Sequence, residues 1–355
     1  MRALSEFSVD GLQRELAAWG FKASHARPLL RSYYAHAGAI AWSELKLPRR
    51  LQDRLLGECA PLQSAVVTRQ VAGDGTVKLL LRLADGRTIE SVVMPAWRDD
   101  RVAGCLSSQV GCALACDFCA TAQSGFARNL CAAEMVEQFL HLRREAQAIG
   151  RRMQTIVFMG MGEPLLNLDN VLEACGRIAG GEAGGLGWRQ VTVSTVGIVP
   201  GIDALAAASL NLNLAVSLHA PDDATRAQLI PSGRRFGVAE ILAAADRFQA
   251  QNHGRPVSIQ YCLLRGVNDS AAQARELAGL LAGRRMHVNL LHYNPTGVSL
   301  TGRSYEASPP AAAEVFMAEL RARRVVAHFR RPRGRDIDAA CGQLRRLTFP
   351  APSPS

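Results

Sequence analysis

Lysine is nearly absent. Lys22, Lys46 and Lys78 are the only three, so the other 38 of the 41 basic residues are arginines. Codon bias in a GC-rich genome is the bland source of that preference. It does not explain the sign of the net charge, +10, set by 41 basic against 31 acidic residues. A basic surplus on a folded chain favours an anionic partner, and nucleic acid is the first candidate. No run approaches the roughly 18 apolar residues that span a bilayer, which excludes a helical membrane protein. Residues 1–12 lack the apolar stretch that marks secretion, so a cytoplasmic location is expected. Low-complexity sequence is confined to a Pro/Ser tail over 350–355, expected to fray. With 48% apolar and 20% charged residues the chain can bury a core. Its 355 residues fit two domains, or one large and one small, at about 150 residues per domain.

The nine cysteines are odd in number, and five of them (Cys105, Cys112, Cys116, Cys119 and Cys131) fall between 105 and 131. A secreted disulfide framework would spread them. In a cytosolic chain such a cluster more often binds metal or does chemistry.

Two regimes of periodicity divide the chain. Helical patterns are expected at 9–19 after Ser8, at 25–36 after Ser24, and at 44–56 after Ser43, with Pro48 interrupting the last. Strands are expected at 65–71, 77–83 and 88–94, with turns at Gly73-Asp74-Gly75 and Asp85-Gly86. These form a small α+β accessory domain, 1–95, and a candidate RNA-binding element. Over 96–350, short β-branched runs alternate with longer helical stretches. Strands are expected at 104–108, 155–159, 191–195, 212–218, 257–264 and 288–291, with 325–329 as a seventh. Spacings of that length leave room for one helix per strand, so the sheet should be parallel, either doubly wound or a partial barrel. Residues 351–355 are a tail.

Cys112, Cys116 and Cys119 stand in a C-x-x-x-C-x-x-C run, three thiolates within eight residues. One loop carrying them can wrap a single metal centre, and iron–sulfur cubes favour thiolate ligands. Three ligands for four irons leave one iron open to substrate or cofactor. A structural zinc site would close with a fourth ligand, and Cys131 is available for that role.

Further motifs surround this loop. Cys105-Leu106-Ser107-Ser108-Gln109-Val110-Gly111 leads into it, and Gly125-Phe126-Ala127-Arg128-Asn129-Leu130 follows. Then come Met159-Gly160-Met161-Gly162-Glu163-Pro164-Leu165-Leu166-Asn167, Val193-Ser194-Thr195, Ser217-Leu218-His219-Ala220-Pro221, Gly266-Val267-Asn268-Asp269 and Tyr293-Asn294-Pro295. Arg333-Gly334-Arg335-Asp336-Ile337-Asp338-Ala339-Ala340-Cys341-Gly342-Gln343-Leu344 closes the series. Over nearly the whole chain this series resembles the RlmN/Cfr family of radical S-adenosylmethionine (SAM) RNA adenine methyltransferases, and is closer to RlmN.

The resemblance implies a partial (β/α)6-type radical SAM barrel of the α/β class. It implies a 4Fe-4S cluster on Cys112, Cys116 and Cys119 with SAM on the open iron. It places SAM contacts at Gly162, Glu163, Ser194, Ser217, Leu218, His219 and Asn294. Taken singly, Ser194 reads as a strand-end hydroxyl, His219 as a satisfied core histidine and Asn294 as part of an Asn-Pro turn. The resemblance further implies that Cys341 takes a methyl group from one SAM. A radical made from a second SAM abstracts hydrogen from that methyl, and the carbon adds to the adenine ring. Cys105 then resolves the adduct through a transient Cys105–Cys341 disulfide. Glu90, among apolar neighbours at period 2, aligns with the family's proposed general base; its rival reading is an edge-strand carboxylate paired with an arginine.

The implied partners are 23S rRNA, with tRNA as a possible second substrate, and an electron donor such as a flavodoxin-type reductant. No membrane is involved, and a monomer is expected. The seven arginines at Arg321, Arg323, Arg324, Arg330, Arg331, Arg333 and Arg335 would hold phosphates beside Cys341, unless they are a solvated face. The target base must leave its stack to be modified. Departures from the family pattern fall at Pro231-Ser232-Gly233-Arg234-Arg235-Phe236, where many members carry an Asn-Lys-Lys type segment, at Tyr293 in place of a commoner Trp, and over 296–311. Glu163-Pro164-Leu165 favours carbon 2 over carbon 8 of adenine. Two rival readings are a paralogue acting at carbon 8 or on another RNA adenine, and a non-catalytic RNA-binding protein with structural zinc.

Overall fold

The structure is a computed structural model that describes residues 1–96, 100–181 and 183–345. The tail at 351–355 lies outside the described residues. Ten strands form one sheet: β1 (Ala65–Val71), β2 (Val77–Arg82), β3 (Thr88–Pro95), β4 (Arg101–Cys105), β5 (Arg152–Phe158), β6 (Val191–Thr195), β7 (Asn213–Ser217), β8 (Val257–Leu263), β9 (Met286–His292) and β10 (Val326–Arg330). Their spatial order is the chain order throughout. From β4 to β10 all pairings are parallel, and β1 to β4 pair antiparallel. A doubly wound sheet reverses its order at a switch point. This one never does, so the barrel-type winding is the observed alternative, with the seventh parallel strand in place.

Helices α1 (Val9–Ala18), α2 (Ala26–Ala35) and α3 (Arg49–Glu58) precede the sheet. Pro48 does not interrupt α3 but precedes its first residue, where a fixed φ and a missing N–H cost nothing. Each parallel step then contains one long helix: α4 (Ala132–Ala148), α5 (Leu168–Ala179), α6 (Val199–Ala207), α7 (Val238–Gln251), α8 (Ala271–Leu281) and α9 (Pro310–Ala322). No helix among the described residues is long and apolar enough to cross a membrane.

The first parallel strand starts three residues before its expected position and ends at Cys105. Ser107 leaves the ladder because its N–H donates to Gln138 Oε1 and its hydroxyl to the Glu90 carbonyl. The accessory strands β1 to β3 do not close a sheet of their own: β3 pairs with β4, so they extend the parallel sheet.

Buried parallel strands usually read as apolar on both faces. Here only one face does. Val193, Leu214, Val216, Ile259, Val288 and Leu290 are buried on it, among the core residues. The opposite face is polar. Ser217, Gln260, Asn289 and His328 are cross-strand neighbours in one row, and Ser194, Ala215, Ser258 and His287 form the row before it. Through Thr192, Val157, Cys105 and Val92 the same face continues to Lys78 on β2. A polar face shared by so many strands is where a ligand would lie.

Candidate active site

The loop after β4 carries the three cysteines of the C-x-x-x-C-x-x-C run. Cys116 is buried against Leu229, Ile230, Cys262 and Tyr293, with Cys112 and Cys119 half-buried beside it. Burial pushes the Cys112 thiol up to about 12, and Cys119 and Glu163 push it the same way. Cys116 is raised further, by burial first and then by Cys119 and Cys112. A metal cation bound among these thiols would release their protons. Among the described residues no three Cys, His, Asp or Glu side chains converge closely enough to chelate a single ion. In a four-iron cube each thiolate binds its own iron, so the sulfurs stand apart. Cys131 is exposed and lies elsewhere. It caps α4 and lines a cavity of about 330 Å³ with Ser5, Gln63 and Arg177, and none of the three loop cysteines lines that cavity.

Glu163 follows Gly162, whose φ of +97° favours glycine; a Cβ there would stand 2.5 Å from Gln109 Cβ and 2.8 Å from its backbone N. The Glu163 carboxylate is buried and accepts from Val196 N (2.9 Å) and Leu165 N (3.0 Å). Burial outweighs both bonds and lifts the group from 4.5 to about 7. A cationic amine bound beside it would restore the charged form. Since the folded value is raised, the stability this group contributes is full below pH 4.5 and is lost as pH rises through about 7. At roughly 1.4 kcal/mol per tenfold in proton affinity, the loss is about 3 kcal/mol. Urea unfolding at pH 4.5 and pH 8 should show the ligand-free protein losing about that much more stability than Glu163→Gln; parallel losses in the two proteins would contradict the assignment.

The other expected SAM contacts sit on the same polar face or at its C-terminal rim. Ser194 and Leu218 are buried, and Ser217 is half-buried. His219 has a φ of +62° and its Nδ1 accepts from Cys262 N at 2.9 Å, which fixes the proton on Nε2. Burial and then Arg226 hold it near 3, so the ring is neutral, edge-on to Phe118 of the cysteine loop with centroids 5.0 Å apart. Asn294 donates weakly to the carbonyls of His292 (3.4 Å) and Cys341 (3.5 Å), while its buried Oδ1 has no partner. An orphaned acceptor on this face fits a donor-bearing ligand such as SAM.

The segment bearing Cys341 crosses the same opening. Lys78 Nζ donates to the Asp338 carbonyl (3.2 Å), Ala120 N to the Gly342 carbonyl (2.8 Å), and Arg345 N to Glu90 Oε2 (2.7 Å). Cys341 is exposed to solvent. Burial raises it, Cys119 adds to that, and it raises Cys105 and Cys262 in turn. Cys105 is buried and pushed up to about 12, chiefly by burial. Glu90 shares its face with Cys105, since Val92, two residues on, is the cross-strand partner of Cys105. Its Oε1 pairs with Lys78 at 3.0 Å, both side chains nearly fully buried. Burial still raises Glu90 above its ordinary value. The partner is a lysine on an inner strand, so the edge-strand reading with arginine does not describe it.

Three residues in this site carried no role in the sequence. Lys78 was legible as a cation directly before the apolar run Leu79 to Leu81. Asp117, between Cys116 and Cys119, is buried and accepts from Ser299 Oγ (3.0 Å), Thr301 N (3.0 Å) and Oγ1 (2.7 Å), and Tyr305 OH (2.7 Å). It thereby ties the cysteine loop to the 296–311 stretch whose sequence departs from the family pattern. Cys262 lies one pleat beyond Gln260 on the polar face. Six of the seven arginines over 321–335 are exposed and Arg333 is half-buried.

Comparison with known proteins matches residues 106–278 to the model of the radical SAM superfamily. The chain is 69% identical over 343 residues to "Probable dual-specificity RNA methyltransferase RlmN 1" of Opitutus terrae, covering 97% of this chain and 96% of that one. It is 43% identical to the RlmN of Thermosynechococcus vestitus, with 93% and 96% covered. The crystal structure of a radical SAM methyltransferase from Sphaerobacter thermophilus superposes with a TM-score of 0.90 at 40% identity, over 97% of this chain and 99% of that one. A fold wound in strict strand order, a three-cysteine loop at its first parallel strand and relatives matched nearly end to end agree: the chain belongs to the RlmN family of radical SAM RNA methyltransferases.

Proposed function

We propose that this protein methylates carbon 2 of an adenine in 23S rRNA, and of an adenine in tRNA as a second substrate, through a methyl group carried on Cys341. Cys112, Cys116 and Cys119 would hold the 4Fe-4S cluster that the family implies. Gly162, Glu163, Ser194, Ser217, Leu218, His219 and Asn294 would hold SAM. When bound, the cluster supplies the electron that cleaves the sulfonium of SAM. The observation that carries the reading is the course of the Cys341 segment. It is hydrogen-bonded on one side to the helix that follows Cys119 and on the other to Glu90.

Each residue then has a task that its position supports. Cys341, open to solvent, can meet an RNA base. Glu90, a carboxylate whose proton affinity burial raises, takes the proton that leaves the ring carbon. The Cys105 thiol gives up its proton and bonds to Cys341 sulfur; the carbon–sulfur bond to the RNA breaks, its electron pair stays on the carbon, and a proton completes the methyl group. The arginines over 321–335 hold phosphates and set the register. Residues 1–95 form the accessory domain that contributes to RNA contact, and 96–350 the catalytic core. The names of the relatives, dual-specificity RNA methyltransferases, support two RNA substrates.

Nucleoside analysis of RNA from a deletion strain tests this. Loss of 2-methyladenosine from both rRNA and tRNA is expected. Loss of 8-methyladenosine instead would move the chemistry to carbon 8, and unchanged RNA would refute the reading.

A further inference from the structure

We infer that Arg226 is the buried counter-cation of the cluster, a positioning residue that holds up its reduction potential. The inference rests on the cluster reading above. Arg226 lies in the short helix Asp223–Leu229 and is 1% exposed, the largest fully buried side chain among the described residues. Buried arginines are almost always paired with a carboxylate, because an unpaired buried charge is costly. Among the described residues no carboxylate lies within 4 Å of this one. Its guanidinium donates only to backbone carbonyls: Val196 from Nη2, and Gly233 (3.3 Å) and Phe236 (3.5 Å) from Nη1. Nε has no partner. Asp223, one turn earlier, attracts it at longer range but spends its own Oδ1 on Val238 N.

The missing negative charge has an evident source. Leu229 and Ile230, at the end of the arginine's helix, belong to one buried cluster with Cys116, and Val196, whose carbonyl takes the guanidinium, packs against that cluster. The Leu229 carbonyl accepts from Asp117 N at 2.9 Å, which bolts the arginine's helix to the cysteine loop. A cube held by three thiolates is anionic, and the electron it accepts adds to that charge. A fixed cation nearby stabilises the reduced form more than the oxidised one, which raises the potential. Arg226 also reaches the SAM side. The Val196 peptide accepts from Arg226 at its carbonyl and donates to Glu163 Oε2 at its N–H (2.9 Å). Gly233 makes room for this arrangement: a Cβ there would stand 2.3 Å from Arg226 Nη1.

The test is an EPR-monitored redox titration of anaerobically reconstituted protein, with iron and sulfide counted per chain. Arg226→Gln, loaded with cluster, should reduce at least tenfold less readily at a fixed poise, a fall of about 59 mV for one electron. Arg226→Lys, which keeps the charge but not the bonds to carbonyls, should recover most of it. An unchanged potential in loaded Arg226→Gln overturns the inference. Should Arg226→Gln take up no iron, Gly233→Ala decides: displacement of the guanidinium should lower the potential, and an unchanged value counts against the inference. Failure of the wild-type protein to load iron would refute the cluster reading instead.

Discussion

Cys341→Ala should abolish RNA methylation while the protein still takes up iron as the wild type does. Loss of a covalent carrier typically costs on the order of 10⁶-fold in turnover. The structural cost should be small, because the side chain is exposed and surface substitutions usually stay within about 0.5 kcal/mol. The backbone bonds that fix the segment do not involve the thiol, since Gly342 and Arg345 make them through main-chain atoms. Iron content and visible absorbance should therefore match the wild-type protein. Cys341→Ser should fail equally, because a hydroxyl cannot form the disulfide with Cys105 through which the proposed route releases product. Methylated RNA from either variant, detected by mass spectrometry, would show that the carbon travels by another route.

Cys116→Ala has the opposite signature: the cluster goes and the fold stays. Cys116 is the buried member of the trio, in contact with Leu229, Ile230 and Tyr293. Its removal would delete one of the three proposed iron ligands. The expected preparation is colourless after reconstitution, with iron and sulfide near zero and no SAM cleavage. Far-UV circular dichroism should be unchanged, because a small buried side chain is lost from a core of many residues. A variant that still holds a full cluster would mean that the ligand set is drawn from other residues.

How much of this was legible in the sequence depends on how far apart the deciding residues lie. The strands expected at 191–195, 257–264 and 288–291 form at 191–195, 257–263 and 286–292, and Ser8 caps its helix through Gly11 N. The cysteine loop reads from spacing alone. The pairing of β3 with β4 does not, because a strand's local pattern does not name its neighbour. Pro48 interrupts the helix expected over 44–56; its fixed φ instead sets the start of α3 at Arg49. Glu90 showed itself by period, but its cation at Lys78 needed the β2–β3 register. Asp117 gains its partners from residues more than 180 positions away. Arg226 carried no signal in the sequence; only the fold shows it buried, in a helix bonded to the cysteine loop.

The account stands or falls on whether this loop builds a cluster that cleaves SAM reductively. Anaerobically reconstituted protein supplied with dithionite and SAM should release 5′-deoxyadenosine, measured by liquid chromatography. A fully loaded, oxygen-free preparation that releases none would contradict it.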